Sequence, residues 1–222
     1  MKITVIHPSR GRVTMADRTI SKWLAYADGD IEYILSLDND DAYWYLPLLQ
    51  KYYGKITHII NHNKTAIEAI NEAAKIATGD LFVVVSDDFI CPNHWDTKLQ
   101  GQLEVYSDFC AKTRDGLQPT LITLPIMDRL YYNRYGYIYN PAYSHMFVDQ
   151  EMTAVAIMTG RYISLDITFE HLHYSSGKTK KDAINDRNNA TWQQGERLFN
   201  ERLKTNFGIE NPVIPYSEIK WR

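Results

Sequence analysis

Residues 81–89, LFVVVSDDF, run five consecutive apolar residues straight into Ser86, Asp87 and Asp88. Adjacent carboxylates repel each other and lose hydration on burial, so they need positive charge nearby, and a divalent cation is a common solution. Oxygen donors of this kind suit Mg²⁺ or Mn²⁺, which keep coordination positions open for substrate phosphates. The same acids also suit a turn or the cap of a helix after Pro92, and carboxylate pairs serve phosphatases and nucleases as well. In FEHLHY, His171 and His173 are two apart, so on a strand they share a face and offer imidazole to a metal, or they are half-buried histidines bonded to backbone. Lys178, in the SGK that follows, is a candidate contact for a diphosphate. In VDQEM, Asp149 and Glu151 precede an apolar segment. A carboxylate there can act as general base toward a hydroxyl, or simply favour a helix start. Asn61, Asn63 and Lys64 end a strand beside a helix N-terminus, where a phosphate or a base edge can dock. Six tyrosines between Tyr131 and Tyr143, with Asn133, Arg134 and Asn140, present flat faces beside hydrogen-bonding groups. Such a cluster suits sugar rings or nucleobases, or else the edge of a core.

The elements that must position these residues alternate. ITVI opens as a buried strand broken by Pro8, and a helix follows, with Thr14 and Asp17 in a weak capping box and DGD at 28–30 as its end. IEYILSL (31–37) is a second strand that ends in Asp38 and Asp40. AYWYLPLLQKYYG reads as a helix started or interrupted at Pro47 and closed by Gly54. KITHII is the third strand, and a helix capped by Thr65 and Glu68 follows, with Ile67, Ile70, Ala74 and Ala77 at helical spacing. LFVVV is the fourth strand. Four strand–helix alternations predict a mostly parallel sheet covered on both faces, with Asp38, Asp40, Asp87 and Asp88 converging beyond the strand ends. Downstream, the pattern predicts a helix after Pro92, a strand near 120–126 and a tyrosine-rich loop. A short helix with one or two strands comes next, then polar helices and a C-terminal surface arm.

With 222 residues, 45% hydrophobic and 23% charged, the chain has material for one substantial core. A net charge of −3 gives no overall basic field of the nucleic-acid-binding kind. Two cysteines are too few for a disulfide framework. No apolar run reaches membrane-spanning length and no signal-like segment opens the chain, so the expectation is a cytoplasmic protein without a membrane span. The absence of G-x-G-x-x-G after the first strand and of G-x-x-x-x-G-K-[ST] weighs against dinucleotide oxidoreductases and P-loop enzymes.

Taken together, ITVIHPSRGR, YILSLDNDD and NKTAIEAINEAAKIATGDLFVVVSDDF resemble the family-2 glycosyltransferases of the GT-A fold. The likeness covers most of residues 1–175. It is carried by the Pro-Ser/Thr-x-x-Arg turn after the first strand, the acids after the second, and Ala-Thr-Gly-Asp leading into a D-x-D-like signature. The chain reads SDD where the family has D-x-D, Val148 where it has Glu before the base, and Asn39 within the usual Asp-Gly-Ser turn. The H-x-H-x-x-x-G-K tail followed by a polar helix resembles small bacteriophage glycosyltransferases, for which the compartment would be the host cytoplasm.

This resemblance implies a single GT-A-like domain: a nucleotide-binding half (1–90), an acceptor and catalytic half (91–175) and a C-terminal helical extension (176–222). It implies that Pro8, Ser9 and Arg10 line the nucleotide pocket, with Asn63 and Lys64 nearby, and that Asp38 or Asp40 contacts the base. Asp87 would hold the ribose or the metal, Asp88 and His173 would bind Mn²⁺ or Mg²⁺, Lys178 would steady the departing diphosphate, and Asp149 would be the base. The implied activity is inverting transfer from a nucleotide-diphospho-sugar, most simply a UDP-sugar, to an acceptor hydroxyl, with the tyrosine loop as a mobile cover. The acceptor stays open between a glycan, a small metabolite, a protein side chain and a hydroxymethylated DNA base. Two other readings compete: a non-catalytic nucleotide-sugar-binding module and a sugar-phosphate nucleotidylyltransferase.

Overall fold

The computed structural model describes residues 1–221. Its first half alternates β1 (Ile3–Ser9), α1 (Val13–Ala25), β2 (Ile31–Asp38), α2 (Leu46–Lys51), β3 (Thr57–Asn61), α3 (Ala66–Ile76) and β4 (Leu81–Val84). The remainder comprises β5 (Phe89–Ile90), α4 (Trp95–Leu103), β6 (Cys110–Arg114), β7 (Ile126–Asp128), α5 (Arg129–Tyr135), α6 (Val148–Met158), β8 (Tyr162–Thr168), β9 (Glu170–His171), α7 (Ala183–Asn189) and α8 (Trp192–Leu203). Seven strands form a mixed sheet in the order β3-β2-β1-β4-β7-β6-β8, with β7 antiparallel to both neighbours and the other pairs parallel. The architecture is therefore α/β with a mostly parallel central sheet, as the strand–helix alternation predicts. β5 and β9 form a separate two-stranded antiparallel ribbon.

Alternation along β1 divides the core into two layers, because successive side chains leave opposite faces of a strand. Ile3 and Val5 pack with Ile20, Trp23 and Leu99 below the sheet, while Ile6 packs with Ile67, Ile70 and Val84 above it. Full burial of a side chain such as Ile20 contributes roughly 1.5–3 kcal/mol. α1 and α3 present Ala16, Ile20 and Trp23, and Ile67, Ile70 and Ala74, at the spacing of one helical face. Pro8 is tolerated in β1 because β4 pairs only as far as Ile6, which leaves the strand without a partner on that side. Gly79, of Ala-Thr-Gly-Asp, has a packing reason: a Cβ there would lie 2.5 Å from Thr4 Oγ1 and 2.7 Å from Thr4 N.

Several expectations are corrected. No capping box opens α1: its N-cap is Arg12, without a side-chain cap, and Asp17 instead binds Lys51 and Tyr52. The helix ends at Ala25, short of the DGD segment. Thr65 does cap α3, accepting from Glu68 N at 3.1 Å. Residues 120–125 are not a strand. Ile122 and Leu124 are buried, so their alternation reflects core packing, and β7 begins only at Ile126. The tyrosine cluster is not a mobile cover: Tyr131, Tyr132, Tyr139 and Tyr143 are buried in the upper core, and α5 holds the first two. Among the described residues no helix is long and apolar enough to cross a membrane.

Candidate active site

Because β1, β2, β3 and β4 run in one direction, their C-terminal ends deliver Ser9, Asp38, Asn61 and the SDD segment to the same edge of the sheet. Two adjoining cavities open there, of about 440 and 340 Å³. The first is lined by residues that include Pro8, Ser9, Arg10, Asp38, Lys64 and Asp87, and the second by residues that include Asp88, Asp149, His171 and His173. Pro8, Arg12, Ala66, Ser86, His145 and Asn188 line both, so they mark the junction of one continuous cleft.

The two adjacent aspartates are stabilised separately, each by its own polar neighbours. Asp87, 3% exposed, accepts at Oδ1 from His7 Nε2 (2.9 Å) and Ser9 Oγ (2.8 Å). Behind it, Arg12 N–H donates to Tyr45 OH, which donates to Ser9 Oγ, and Tyr33 OH meets His7 Nδ1 at 2.8 Å. Burial raises both phenols, so Tyr33 and Tyr45 stay protonated and act as donors. Asp88 faces the other cavity, where Ser86 Oγ donates to it at 2.6 Å and His171 Nε2 lies 3.4 Å from Oδ2. Burial alone would raise Asp88, yet His171, Ser86 and the charge of Arg12 outweigh it and hold the carboxyl at about 2.

The β5–β9 ribbon explains how His171 reaches Asp88. Phe89 pairs with His171 across the ribbon, their rings stack at 4.2 Å, and Leu172 N donates to Asp88 O. The ribbon stops at His171 and His173 caps the 3-10 turn at Tyr174–Ser176, yet the two rings stand 5.1 Å apart and both line the second cavity. His173 Nδ1 lies 2.7 Å from Ser175 Oγ and 3.2 Å from Ser175 N, which hold the ring against the turn. Burial and neighbouring His171 lower the His173 pKa and keep that ring neutral.

The donors at this wall are Asp88 and His171. Asp88 supplies hard carboxylate oxygen, and His171 supplies an imidazole whose buried Nδ1 has no hydrogen-bond partner among the described residues. No group of three or more His, Cys, Asp or Glu suited to holding an ion occurs among the described residues. Two donors on one wall of an open cavity fit Mg²⁺ or Mn²⁺, which take the rest of their shell from substrate oxygens and water.

Asp149 stands in the first turn of α6, whose N-cap Phe147 is left-handed (φ 71°). Among the described residues its carboxylate receives only backbone N–H groups, Gln150 N at 2.9 Å among them, and no cation pairs with it. Burial raises its pKa above the ordinary carboxylate value. Glu151, two residues on, faces away from the cleft: Arg202 grips it with two bonds of 2.7 and 2.9 Å, and Asn140 and Tyr143 complete its shell. Its role is to fasten α8 to α6.

Of the residues that the resemblance assigns to the site, three stand apart from the cavity walls. Asn63 sits one step behind, donating to Asp38 Oδ1 at 3.0 Å. Asp40 is on the surface and forks with Arg10, which also binds Asp38. Lys178 lines neither cavity and pairs with Glu170 at 2.8 Å. Residues not selected from the sequence take prominent positions. Arg12 lines both cavities and grips Asp182 with two bonds of 2.7 and 2.8 Å, a link that pins α7 over the cleft. Arg187 adds a bond to Lys64 O at 2.7 Å. Arg12 was signalled in the sequence, because Pro8-Ser9-x-x-Arg12 places the turn's arginine there, not at Arg10. His145 had no local signal, and α7 read only as one of the polar helices near the C-terminus.

A sequence model described as Glycosyl transferase family 2 matches residues 4–147, more than half of the chain. The chain belongs to that family. Among curated protein sequences no match is found. Solved structures similar in fold include TarS from S. aureus, 15% identical, with a TM-score of 0.59 over 76% of this chain and 36% of that one. TarS 1-349 in complex with UDP-GlcNAc is 18% identical, with a TM-score of 0.59 over 76% of this chain and 57% of that one. The mannosyltransferase PcManGT from Pyrobaculum calidifontis, in complex with GDP-Man and Mn²⁺, is 13% identical, with a TM-score of 0.59 over 76% of this chain and 56% of that one. The chain thus spans between about a third and three fifths of the length of these proteins. The family match ends two residues before Asp149, so Asp149, the histidine pair and α7 lie beyond it.

Proposed function

We propose that the chain transfers a sugar from a nucleotide-diphospho-sugar, a UDP-sugar in the simplest case, to an acceptor hydroxyl. The observation that carries this reading is the two-chambered cleft. One chamber holds Asp38, Lys64 and Asp87, the other holds Asp88, His171 and Asp149, and polar residues join them. A donor laid across it has its nucleoside in the first chamber and its sugar in the second. Support also comes from the UDP, UDP-GlcNAc and GDP-Man carried by the similar structures. The division of labour we propose is a nucleotide half at 1–90, a catalytic half at 91–175 and a helical extension from 176 onward, within one GT-A-like domain.

In this account Asp149 takes the proton of the acceptor hydroxyl as its oxygen attacks the anomeric carbon. The bond from that carbon to the diphosphate breaks on the opposite face, the configuration inverts, and a nucleoside diphosphate leaves. A raised pKa improves Asp149 as a base, and the absence of a paired cation keeps its lone pairs available. Asp88 and His171 would hold Mn²⁺ or Mg²⁺, which supplies positive charge to the diphosphate when bound. His171 is preferred over His173 because its Nε2 already lies 3.4 Å from Asp88 Oδ2. Lys178 is replaced as the steadying cation by Arg12, which lines both chambers.

The test is a thermal-shift panel of UDP- and GDP-sugars with and without Mn²⁺, repeated on Asp88→Asn. Ligands that bind only the native state raise the melting temperature. The reading expects a metal-dependent rise with at least one nucleotide-sugar that Asp88→Asn abolishes. A flat panel, or an equal rise in both proteins with and without Mn²⁺, would overturn it.

A further inference from the structure

Resting on the donor reading above, we propose that His145 and Asn188 bind the diphosphate bridge of the donor as a pair of uncharged hydrogen-bonding groups. Both residues line both chambers, so they stand where the link between nucleoside and sugar must cross. Among the described residues neither side chain takes part in any hydrogen bond or ion pair, although each is half-buried. Neither side chain is among the buried polar atoms left without a partner, so each stays open to solvent at this junction and can exchange a water for a ligand oxygen.

They reach the junction from different parts of the chain. His145 lies in the loop ahead of α6, and that loop is clamped from behind. Met146 N donates to Thr191 Oγ1, and a Cβ on Gly195 of α8 would lie 2.3 Å from Met146 O. Asn188 comes from α7, beyond the family match, and is held over the cleft by the Arg12–Asp182 pair and the Arg187–Lys64 bond. Arg12, the cation at this junction, spends its Nε and one Nη2 bond on Asp182, so the two uncharged side chains supply further donors beside it. Burial and the charge of Arg12 pull His145 down to about 4, so at neutral pH the ring is uncharged and presents one N–H.

The experiment is calorimetric titration of UDP, with GDP as the second probe, into the full chain and into His145→Ala, Asn188→Ala and His145→Gln, in Mn²⁺. Uridine or guanosine competition serves as the control for the nucleoside end. Hydrogen bonds to a charged group predict that each alanine variant binds the diphosphate roughly 10-fold or more weakly, with nucleoside affinity unchanged. His145→Gln, which keeps an N–H donor, recovers part of the loss. Variants that bind the diphosphate within twofold of wild type would overturn the inference and leave the donor reading standing. An equal loss for nucleoside and diphosphate, or no recovery in His145→Gln, would also overturn it, since that pattern reports a disturbed cleft. Failure of the wild-type chain to bind either diphosphate would remove the donor reading, and this inference with it.

Discussion

Replacing Asp149 by Asn keeps the size of the side chain and removes only the carboxylate's charge and basicity. The structure assigns consequences of opposite sign to activity and stability. Asp149 lines the chamber with Asp88 and His171 but takes no part in the first chamber, so donor binding should survive. A general base contributes about 10²- to 10⁴-fold, or about 2.7–5.4 kcal/mol of barrier, and release of nucleoside diphosphate should fall by that factor. Stability moves the other way. Burial raises the folded-state pKa of Asp149, so its favourable contribution is whole below the unfolded-state value and is lost as the pH rises through the folded-state value. At neutral pH the ionised side chain therefore costs stability, and Asp149→Asn should melt higher than wild type at pH 7, with the difference vanishing toward pH 3. The acid limb of the wild-type rate profile should lie above the ordinary carboxylate value for the same reason. The assay is continuous detection of released nucleoside diphosphate, with melting curves from pH 3 to 8. Activity within about tenfold of wild type would refute the base assignment. A lower melting temperature at pH 7 would refute the account of its environment.

Three further outcomes follow from the packing. Glu151→Ala strips the partner from Arg202 and from two other donors, and should cost about 3–5 kcal/mol, read as a lower urea midpoint, whereas a change below about 1 kcal/mol would mean that the pair is not a buried fastening. Asp182→Asn retains a helix cap but removes the charge facing Arg12, so protease cleavage between 176 and 191 should accelerate while the urea midpoint of the core holds, and an unchanged cleavage rate would contradict the clasp. Gly79→Ala drives a methyl into the backbone of Thr4 and should destabilise by about 1–3 kcal/mol or more, so a neutral result would show that β1 and β4 have slack there.

The first 90 residues were legible because their signals are local: apolar runs of strand length, Thr65 and Glu68 three apart, Pro47 near a helix start and Gly54 after its end. The acids at the strand ends were legible because a parallel sheet has a defined ligand edge. What failed depends on partners distant in sequence. Asp17 looked like a helix cap but is taken by Lys51 and Tyr52. Residues 120–125 alternate like a strand while their backbone lacks one, and β6, with buried Lys112 inside it, lacks the apolar pattern of one. The tyrosines read equally well as a sugar platform and as core, and only burial decides. Spacing put His171 and His173 on one face, and their rings do meet at 5.1 Å in one cavity, although the ribbon ends between them. Arg12 was within reach of the Pro-Ser-x-x-Arg pattern. His145 and Asn188 were not, because nothing in a loop histidine or a helix asparagine shows that two cavities meet beside it.

The central claim is that one nucleotide-sugar spans both chambers. A crystal structure of the chain with UDP and Mn²⁺ tests it most directly. The account predicts the nucleoside in the chamber of Asp38, Lys64 and Asp87, with the diphosphate crossing toward Arg12 and Asp88 and Asp149 facing the vacant sugar position. A nucleotide bound elsewhere, or with its phosphates directed away from Asp88 and Asp149, would contradict it.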